Sequence, residues 1–192
     1  MQDKTPGDAL NLDLRSGLPD ALTVLLKEYP RAGWESHPGY EGLIRFWLDR
    51  HMMFRRILEK LTAQTRETMD KRLPYDQFRL QTRRLGSAFV QELHGHHSIE
   101  DAHYFPVLSQ KDPRIARAFD ILDHDHHALD AHLNAFVETA NGALRPEQQD
   151  DRAVAKFLDN LDSLERFIDR HLIDEEDIVV PVILKYGAGG LA

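Results

Sequence analysis

The chain contains no cysteine, and it has fewer basic than acidic residues. The absence of cysteine excludes disulfides, thiolate zinc sites, iron–sulfur clusters and thiol chemistry. The 24 basic and 32 acidic residues give a formal net charge of −8. Binding to nucleic acid or to an anionic membrane requires clustered cations. We therefore expect neither nucleic acid nor a membrane as a partner.

Long apolar runs are also lacking. No segment approaches the roughly 18 uncharged apolar residues of a membrane-spanning helix. Residues 1–17 do not contain the apolar core of a signal peptide, so we expect a cytoplasmic protein. The chain has 192 residues, of which 42% are hydrophobic, and this suits a single well-packed domain.

Four long segments show helical periodicity with few helix breakers, and none shows the alternation of a strand. Proline and glycine positions place them at about 38–72, 74–109, 112–142 and 146–186. Short connections between helices of this length force neighbouring helices to be antiparallel. The predicted fold is all-α, an up-down-up-down four-helix bundle.

The residues before the bundle include one shorter apolar segment. A helix is expected between Ser16 and Tyr29, and it is too short to be stable alone. We therefore expect it to pack on the bundle or on a second subunit. The predicted organisation is an N-terminal extension at 1–37, the bundle at 38–186 and a flexible tail at 187–192.

A pattern of histidine, carboxylate and proline occurs twice, and each member recurs 75 positions later. Positions i and i+4 of a helix lie on nearly the same face, so each half presents an imidazole and a carboxylate together. Two imidazoles and one carboxylate per half suit two adjacent transition-metal ions. The predicted metal ligands are His51, His96, Glu100, His126, His171 and Glu175, and the recurring prolines are Pro106 and Pro181.

Apolar neighbours predict that these ligands are buried. Trp47, Leu48, Phe54 and Leu58 lie on the face of His51, and leucines surround His126 in the same way. A buried imidazole needs partners for both nitrogens, and a buried carboxylate is costly unless it is paired or metal-bound. A metal satisfies both requirements. A polar core with a purely structural role is the alternative.

The remaining histidines have weaker cases as ligands. His97 is one residue out of the repeat frame, which places Leu172 opposite it, so we expect it on the flank of the site. His94 and His132 are expected on solvated faces. His103 lies one turn beyond Glu100 on its face, where it would be a hydrogen-bond partner of a ligand or an extra ligand.

The ligand pattern, with Phe105-Pro106 and Val180-Pro181 after the carboxylates, resembles the hemerythrin-like (HHE cation-binding) domain family. The resemblance covers about residues 38–186. It implies a non-haem di-iron centre with an oxo or hydroxo bridge, four terminal histidines, and Glu100 and Glu175 as bridging ligands. Mixed imidazole and carboxylate ligands suit iron, manganese or zinc, and six-coordinate bridged pairs favour iron or manganese over zinc. The resemblance puts iron ahead of manganese and zinc.

Two departures separate the chain from the oxygen-carrying hemerythrins. Those proteins place a further histidine one turn from their third-helix histidine, where this chain has Leu122 and Asp130. They also place an aspartate where this chain has Glu176, one residue past Glu175. The predicted ligand set leaves about two of the roughly twelve positions of two six-coordinate ions open, unless Asp130 or another histidine fills the gap. The resemblance therefore implies the wider HHE group.

The expected function is binding of, or reaction with, O2, peroxide or NO, in redox or gas sensing. The partner is then a small molecule, with a protein partner or a second copy expected through the N-terminal segment. A di-iron oxidoreductase that consumes peroxide or NO, and an iron buffering or supply protein, are the alternatives, so whether the chain is an enzyme stays open. A ferritin-like bundle is a rival fold, which Glu100-x-x-His103 matches only once.

The two predicted bridging carboxylates give the first testable prediction. Replacing Glu100 or Glu175 with alanine should lower metal content while leaving helix content largely intact, because the side chains bind metal and do not hold the helices together. Metal analysis with far-ultraviolet circular dichroism checks this. Unchanged metal content in both variants would refute the assignment.

Overall fold

The computed structural model describes residues 11–12, 14–40, 42–145 and 149–191. Within these ranges the regular structure is entirely helical, without any strand, so the predicted all-α bundle is confirmed. Across the same ranges, every helix lacks the combination of length and apolar character that a membrane span requires.

Four long helices and two short ones make up the described chain. A π-helical turn joins α3 to α4, and a 3₁₀ turn precedes α2. The helices are α1 (Val24–Glu28), α2 (Leu43–Met69), α3 (Tyr75–Ile99), α4 (Phe105–Leu108), α5 (Ala116–Ala143) and α6 (Asp151–Tyr186); the π turn is Glu100–Tyr104 and the 3₁₀ turn is Arg31–Gly33.

The helix starts differ from the predicted ones for local reasons. α5 begins at Ala116, because Asp112 is used in a turn in which its carboxylate accepts the backbone N–H of Arg114 at 3.0 Å. The expected start of the last helix at Pro146-Glu147 lies outside the described residues. The described helix begins after Asp150, whose Oδ1 accepts the backbone N–H of Arg152 at 2.9 Å and so caps the first turn.

The segment predicted as one helix at 74–109 is interrupted by the π turn. The backbone N–H of Phe105 donates to the carbonyl of Glu100, five residues earlier, where an α-helix would use the residue four earlier. Pro106 follows directly and has no N–H to donate. Proline alone does not produce this geometry, since Pro181 lies inside α6. The π turn therefore begins at one of the predicted bridging carboxylates.

The chain divides into two compact units, and each long helix contributes residues to both. One unit comprises residues 52–96 and 127–168. Its core contains a row of aromatic rings, in which Phe89 lies 6.2 Å from Phe54 and 5.7 Å from Phe136, and Phe136 lies 5.7 Å from Phe157. All four rings are almost completely buried, and burial of phenylalanine rings is a main source of core stability.

The other unit comprises residues 1–51, 97–126 and 169–192, and it contains most of the predicted ligands. Its core combines Ile44 and Trp47 of α2 with the apolar run 178–184 of α6. Leu25 and Trp34 are buried in the same cluster, so the N-terminal segment packs on this core, which is one of the two arrangements expected for it. The helix within this segment is shorter than predicted, since α1 begins at Val24 and not near Ser16.

Candidate metal centre

Five of the six predicted ligands are buried, as expected from their apolar neighbours, and the sixth, His96 on α3, is half-buried. His51 lies on α2, His126 on α5, and His171 and Glu175 on α6, while Glu100 is the first residue of the π turn. His51, Glu100, His171 and Glu175 are each 0% exposed, and His126 is 5% exposed. Titratable side chains are rarely buried to this extent unless they are paired or bind a metal.

Two groups of side chains offer ligand atoms in close proximity. The first consists of His51, His96, Glu100 and Glu175, and the second of His97, His126 and His171; within each group the atoms lie within 4.8 Å of one another. All six residues of the predicted ligand set are therefore found in these groups. One further residue, His97, joins them.

The carboxylate of Glu175, a member of the first group, is also close to the second group. Its Oε2 is 3.6 Å from Nε2 of His51 in the first group and 3.6 Å from Nε2 of His171 in the second. Its other oxygen accepts the indole N–H of Trp47 at 2.7 Å. This bond holds the carboxylate in one orientation, so that Oε2 faces histidines of both groups.

The carboxylate of Glu100 is close to the second group as well as belonging to the first. Its Oε2 lies 3.7 Å from Nε2 of His126. Nε2 of His126 is in turn 3.2 Å from Nε2 of His171. The Nε2 atoms of three histidines and the oxygens of two carboxylates thus converge on one region of this unit.

In three of the histidines, the opposite ring nitrogen faces a carboxylate that the sequence did not predict to have this role. An ionised carboxylate only accepts hydrogen bonds, so Nδ1 is the donor in each of these contacts and Nε2 is the nitrogen that faces the ligand region. Metal-binding histidines are usually oriented in this way. Nδ1 of His51 lies 3.0 Å from Glu176, Nδ1 of His126 lies 2.7 Å from Asp101, and Nδ1 of His171 lies 3.5 Å from Asp125.

An arginine outside the repeat supports the carboxylate beside His171. The guanidinium of Arg15 donates to both oxygens of Asp125, with Nη1 2.9 Å from Oδ1, and its Nε donates to Asp174 at 2.8 Å. Burial raises the pKa of Asp125, but the hydrogen bonds from His171 and Arg15 outweigh it and hold the pKa below its usual value. Asp125 is therefore an anion in the folded protein.

A second arginine of the N-terminal segment supports the carboxylate beside His51. Nη1 of Arg31 donates to Oε2 of Glu176 at 2.8 Å, and Nε donates to Asp177 at 2.7 Å. The third guanidinium nitrogen donates to the backbone carbonyl of Ile173 at 3.1 Å. Sequence patterns give no signal for Arg15 or Arg31, because both lie outside the repeat and contact residues more than 100 positions away.

Burial strongly alters the protonation of two of the candidate ligands. It lowers the pKa of the His171 imidazole to about 3, so this ring is neutral at physiological pH. It also raises the pKa of Glu100 well above the usual value for a glutamate, because the anion is removed from water. A bound cation would reverse the penalty on the Glu100 anion, and a neutral imidazole is the form that binds metal. The donor set therefore fits a metal centre.

His97 contradicts the expectation that it lies on the flank of the site. It is 7% exposed, and its ring stacks on that of His126 with centroids 4.0 Å apart and planes 11° apart. Its ring is also 5.5 Å from that of His171. The i, i+4 spacing of His97 and Asp101 was the one sequence signal that both residues belong to the site, and Asp101 does contact Nδ1 of His126. The repeat frame selected His96 instead.

The structure does not support His103 or Asp130 as an extra ligand. Both side chains are exposed, and neither belongs to a group of candidate ligands among the described residues. The gap left by Leu122 is thus not filled from Asp130.

Of the two histidines expected on solvated faces, His94 is exposed as predicted, whereas the ring of His132 is half-buried against Phe167 with centroids 3.9 Å apart.

The lowered pKa of His171 predicts a pH dependence of stability in the metal-free protein. Between its ordinary pKa of 6.5 and about 3, the unfolded chain binds one proton more than the folded chain, so the free energy of unfolding should decrease as the pH falls through this range. Denaturant titrations of metal-free protein between pH 7 and pH 4 measure this. His171→Asn should reduce the slope, whereas His124→Asn, at an exposed position, should leave it unchanged. Equal slopes in all three proteins would contradict the burial of a neutral imidazole.

One of three comparisons with known proteins found a match. A family model described as the hemerythrin HHE cation binding domain matches residues 42–183, which include both groups of candidate ligands. The comparisons with curated proteins and with solved structures found no match. The family match spans well over half of the 192 residues. The chain belongs to the hemerythrin HHE cation-binding domain family.

Proposed function

We propose that the chain is a non-haem di-iron protein that binds or reacts with O2, peroxide or NO, and serves in redox or gas sensing. The observation that carries this proposal is the pair of adjacent ligand groups, one with two imidazoles and two carboxylates and one with three imidazoles. Seven protein ligands are more than one six-coordinate ion can bind, but they suit two six-coordinate ions that share carboxylates.

The distances support a division of the ligands between two ions. In this proposal His51 and His96 bind one ion, and His97, His126 and His171 bind the other. The two glutamates bridge them, which is consistent with the position of Glu175 at 3.6 Å from a histidine of each group. The position of Glu100, which belongs to the first group and lies 3.7 Å from His126 of the second, supports the same role.

The chemistry of the donors supports iron. Imidazole nitrogens and carboxylate oxygens without thiolate suit iron or manganese in six-coordination, and tetrahedral zinc would leave several of these donors unused. Bound ferrous ions supply electrons and an exchangeable coordination position, which O2, peroxide and NO require. The protein would contribute imidazoles, of which that of His171 is held neutral, two bridging carboxylates and an apolar surrounding.

That surrounding keeps the ligand region dry. Phe105 stacks on the ring of His126 with centroids 5.4 Å apart, and Leu122, one turn before His126, is completely buried. Trp47 combines an apolar wall with a hydrogen bond to Glu175, and the ring of Tyr104 lies 4.9 Å from its own. Exclusion of water strengthens the attraction between anionic ligands and bound cations.

The presence of His97 changes the expected reactivity. The sequence pattern predicted four imidazoles and about two open coordination positions. With His97 as a fifth imidazole, about one position remains for a small molecule. The oxygen carriers have their fifth histidine on the third long helix of the bundle, which is α5 here. In this chain the proposed fifth imidazole, that of His97, comes from α3, the second long helix. We therefore propose binding of one small ligand per centre.

Metal content and spectroscopy test the proposed function. Untagged protein produced with iron should contain about two iron ions per chain, and its near-ultraviolet absorption should bleach on reduction and return in air. Anaerobic reduced protein should respond to NO with a new spectrum. Repeated consumption of peroxide or NO under reducing conditions would identify an oxidoreductase rather than a sensor. Zinc alone, or a stable bundle without metal, would contradict the proposal.

The assignment of His97 as a ligand has its own prediction. His97→Asn should weaken iron binding at one of the two sites by at least the roughly 10- to 100-fold that loss of an outer partner of a metal ligand costs. Competition with a chelator measures the affinity. Leu122→His, introduced into the same variant, should restore part of it by supplying an imidazole one turn from His126. His94→Asn, at an exposed position on the same helix, is the matched control. If His97→Asn binds two irons as tightly as this control, the ligand role of His97 is wrong.

A further inference from the structure

Two of the three Nδ1–carboxylate contacts described above end on arginines of the N-terminal segment, here residues 14–40. In the first chain of contacts, here called the Arg15 arm, Arg15 donates to Asp125, which faces Nδ1 of His171. In the second chain of contacts, the Arg31 arm, Arg31 donates to Glu176, which faces Nδ1 of His51. Both arginines lie outside residues 42–183, which match the family. The two arms reach histidines of different ligand groups.

We propose that Arg15 and Arg31 are positioning residues for the metal centre, and that the N-terminal segment sets how firmly the centre retains its metal. This inference rests on the proposed function, because it assigns regulation to the same site. The arginines act through Asp125 and Glu176 and do not themselves bind metal. The segment is thereby a part of the centre and not an accessory of the fold.

The geometry of the Arg15 arm explains how this control works. Arg15 and Asp125 are both buried, with side chains 1% exposed, so water does not compete for their hydrogen bonds. The guanidinium fork occupies both oxygens of Asp125 and fixes the plane of the carboxylate. A fixed carboxylate fixes the direction of the Nδ1 contact, and hence the direction of the Nε2 lone pair of His171.

The Arg31 arm is built in the same way but is closer to solvent. The Arg31 side chain is 42% exposed, whereas Glu176 is only 6% exposed. The guanidinium is held in place by three acceptors, Glu176, Asp177 and the carbonyl of Ile173, and it lies over the ring of Trp34, 4.8 Å from the centroid. Trp34 belongs to the buried core cluster. The packing of the segment therefore determines whether Arg31 can reach Glu176.

The segment is also fastened to α6 beside Arg15. Arg170 donates one hydrogen bond to the backbone carbonyl of Ser16 at 2.8 Å and another to Asp174 at 2.5 Å. Asp174 is the second carboxylate bound by Arg15. Displacement of the segment would consequently remove Arg15 from two carboxylates together, and it would leave Asp125 and Asp174 as buried anions with fewer donors.

The remaining arm provides an internal comparison. Nδ1 of His126 faces Asp101, which belongs to the π turn and not to the N-terminal segment. Changes at Arg15 or Arg31 should therefore affect His171 or His51 and leave the contact of His126 as it is. A general loosening of the protein would affect all three histidines alike.

Metal release and spectroscopy of cobalt-loaded protein test the inference. Arg15→Gln and Arg31→Gln should each transfer Co²⁺ to EDTA roughly 10-fold faster than the wild type, at the low end of the effect of outer partners of metal ligands. Arg31→Lys and Arg15→Lys should be intermediate, because lysine keeps the charge but lacks the planar fork. Arg66→Gln, which removes an exposed pair between Arg66 of α2 and Asp162 of α6, should release Co²⁺ at the wild-type rate.

The exchangeable Nδ1–H signals of the cobalt protein provide a readout that a purely structural effect would not reproduce. Arg31→Gln should shift the signal of His51, and Arg15→Gln that of His171, with the signal of His126 unchanged. Arg31 is partly exposed, so its variant tests the inference even where Arg15→Gln does not fold. Wild-type release rates, or equal shifts of all three signals, would overturn the inference. A wild-type protein that retains neither iron nor Co²⁺ would instead contradict the proposed function.

Discussion

The site depends on the burial of two carboxylates among imidazoles. Glu100 and Glu175 are completely removed from solvent, and an isolated anion in such a place costs several kcal/mol or becomes protonated. Burial is the main cause that raises the pKa of Glu100 well above the usual value for a glutamate, and a nearby cation would oppose this shift. The imidazole of His171 does not provide such a cation, since burial lowers its pKa to about 3 and holds the ring neutral. A pair of bound metal ions would compensate the buried carboxylates and bind the neutral imidazole.

Charges of opposite sign follow one another outward from the ligands. The imidazoles that would bind metal cations present their Nδ1 atoms to the anions Asp101, Asp125 and Glu176. Two of these anions are in turn held by Arg15 and Arg31. Each charge is thus paired with the next, and every pair also fixes an orientation. The arrangement makes the metal ligands rigid without placing an uncompensated charge in the core.

The six side chains predicted as ligands are among those that the structure brings together, because the sequence pattern that selects them is local. The i, i+4 spacing of His96 with Glu100 and of His171 with Glu175 has one structural meaning on a helix, and short connections bring the helices together. His97 was missed since the repeat places Leu172 opposite it. The π turn was missed because a shift in the hydrogen-bond ladder leaves no periodic signal. The contact of Arg15 with Asp125 spans 110 positions, so no local pattern reports it.

The two halves of the chain share ligands but differ in what supports them. The partner of His126 comes from the π turn, that of His171 comes from α5, and that of His51 comes from α6. Spacing along a helix determines which side chains face the metal, whereas the opposite ring nitrogen faces whichever element packs behind it. A repeat therefore reproduces ligands more readily than their supports. The properties that distinguish this centre from others with the same ligands should consequently reside in His97, the π turn and the N-terminal arginines, where the symmetry of the repeat is broken.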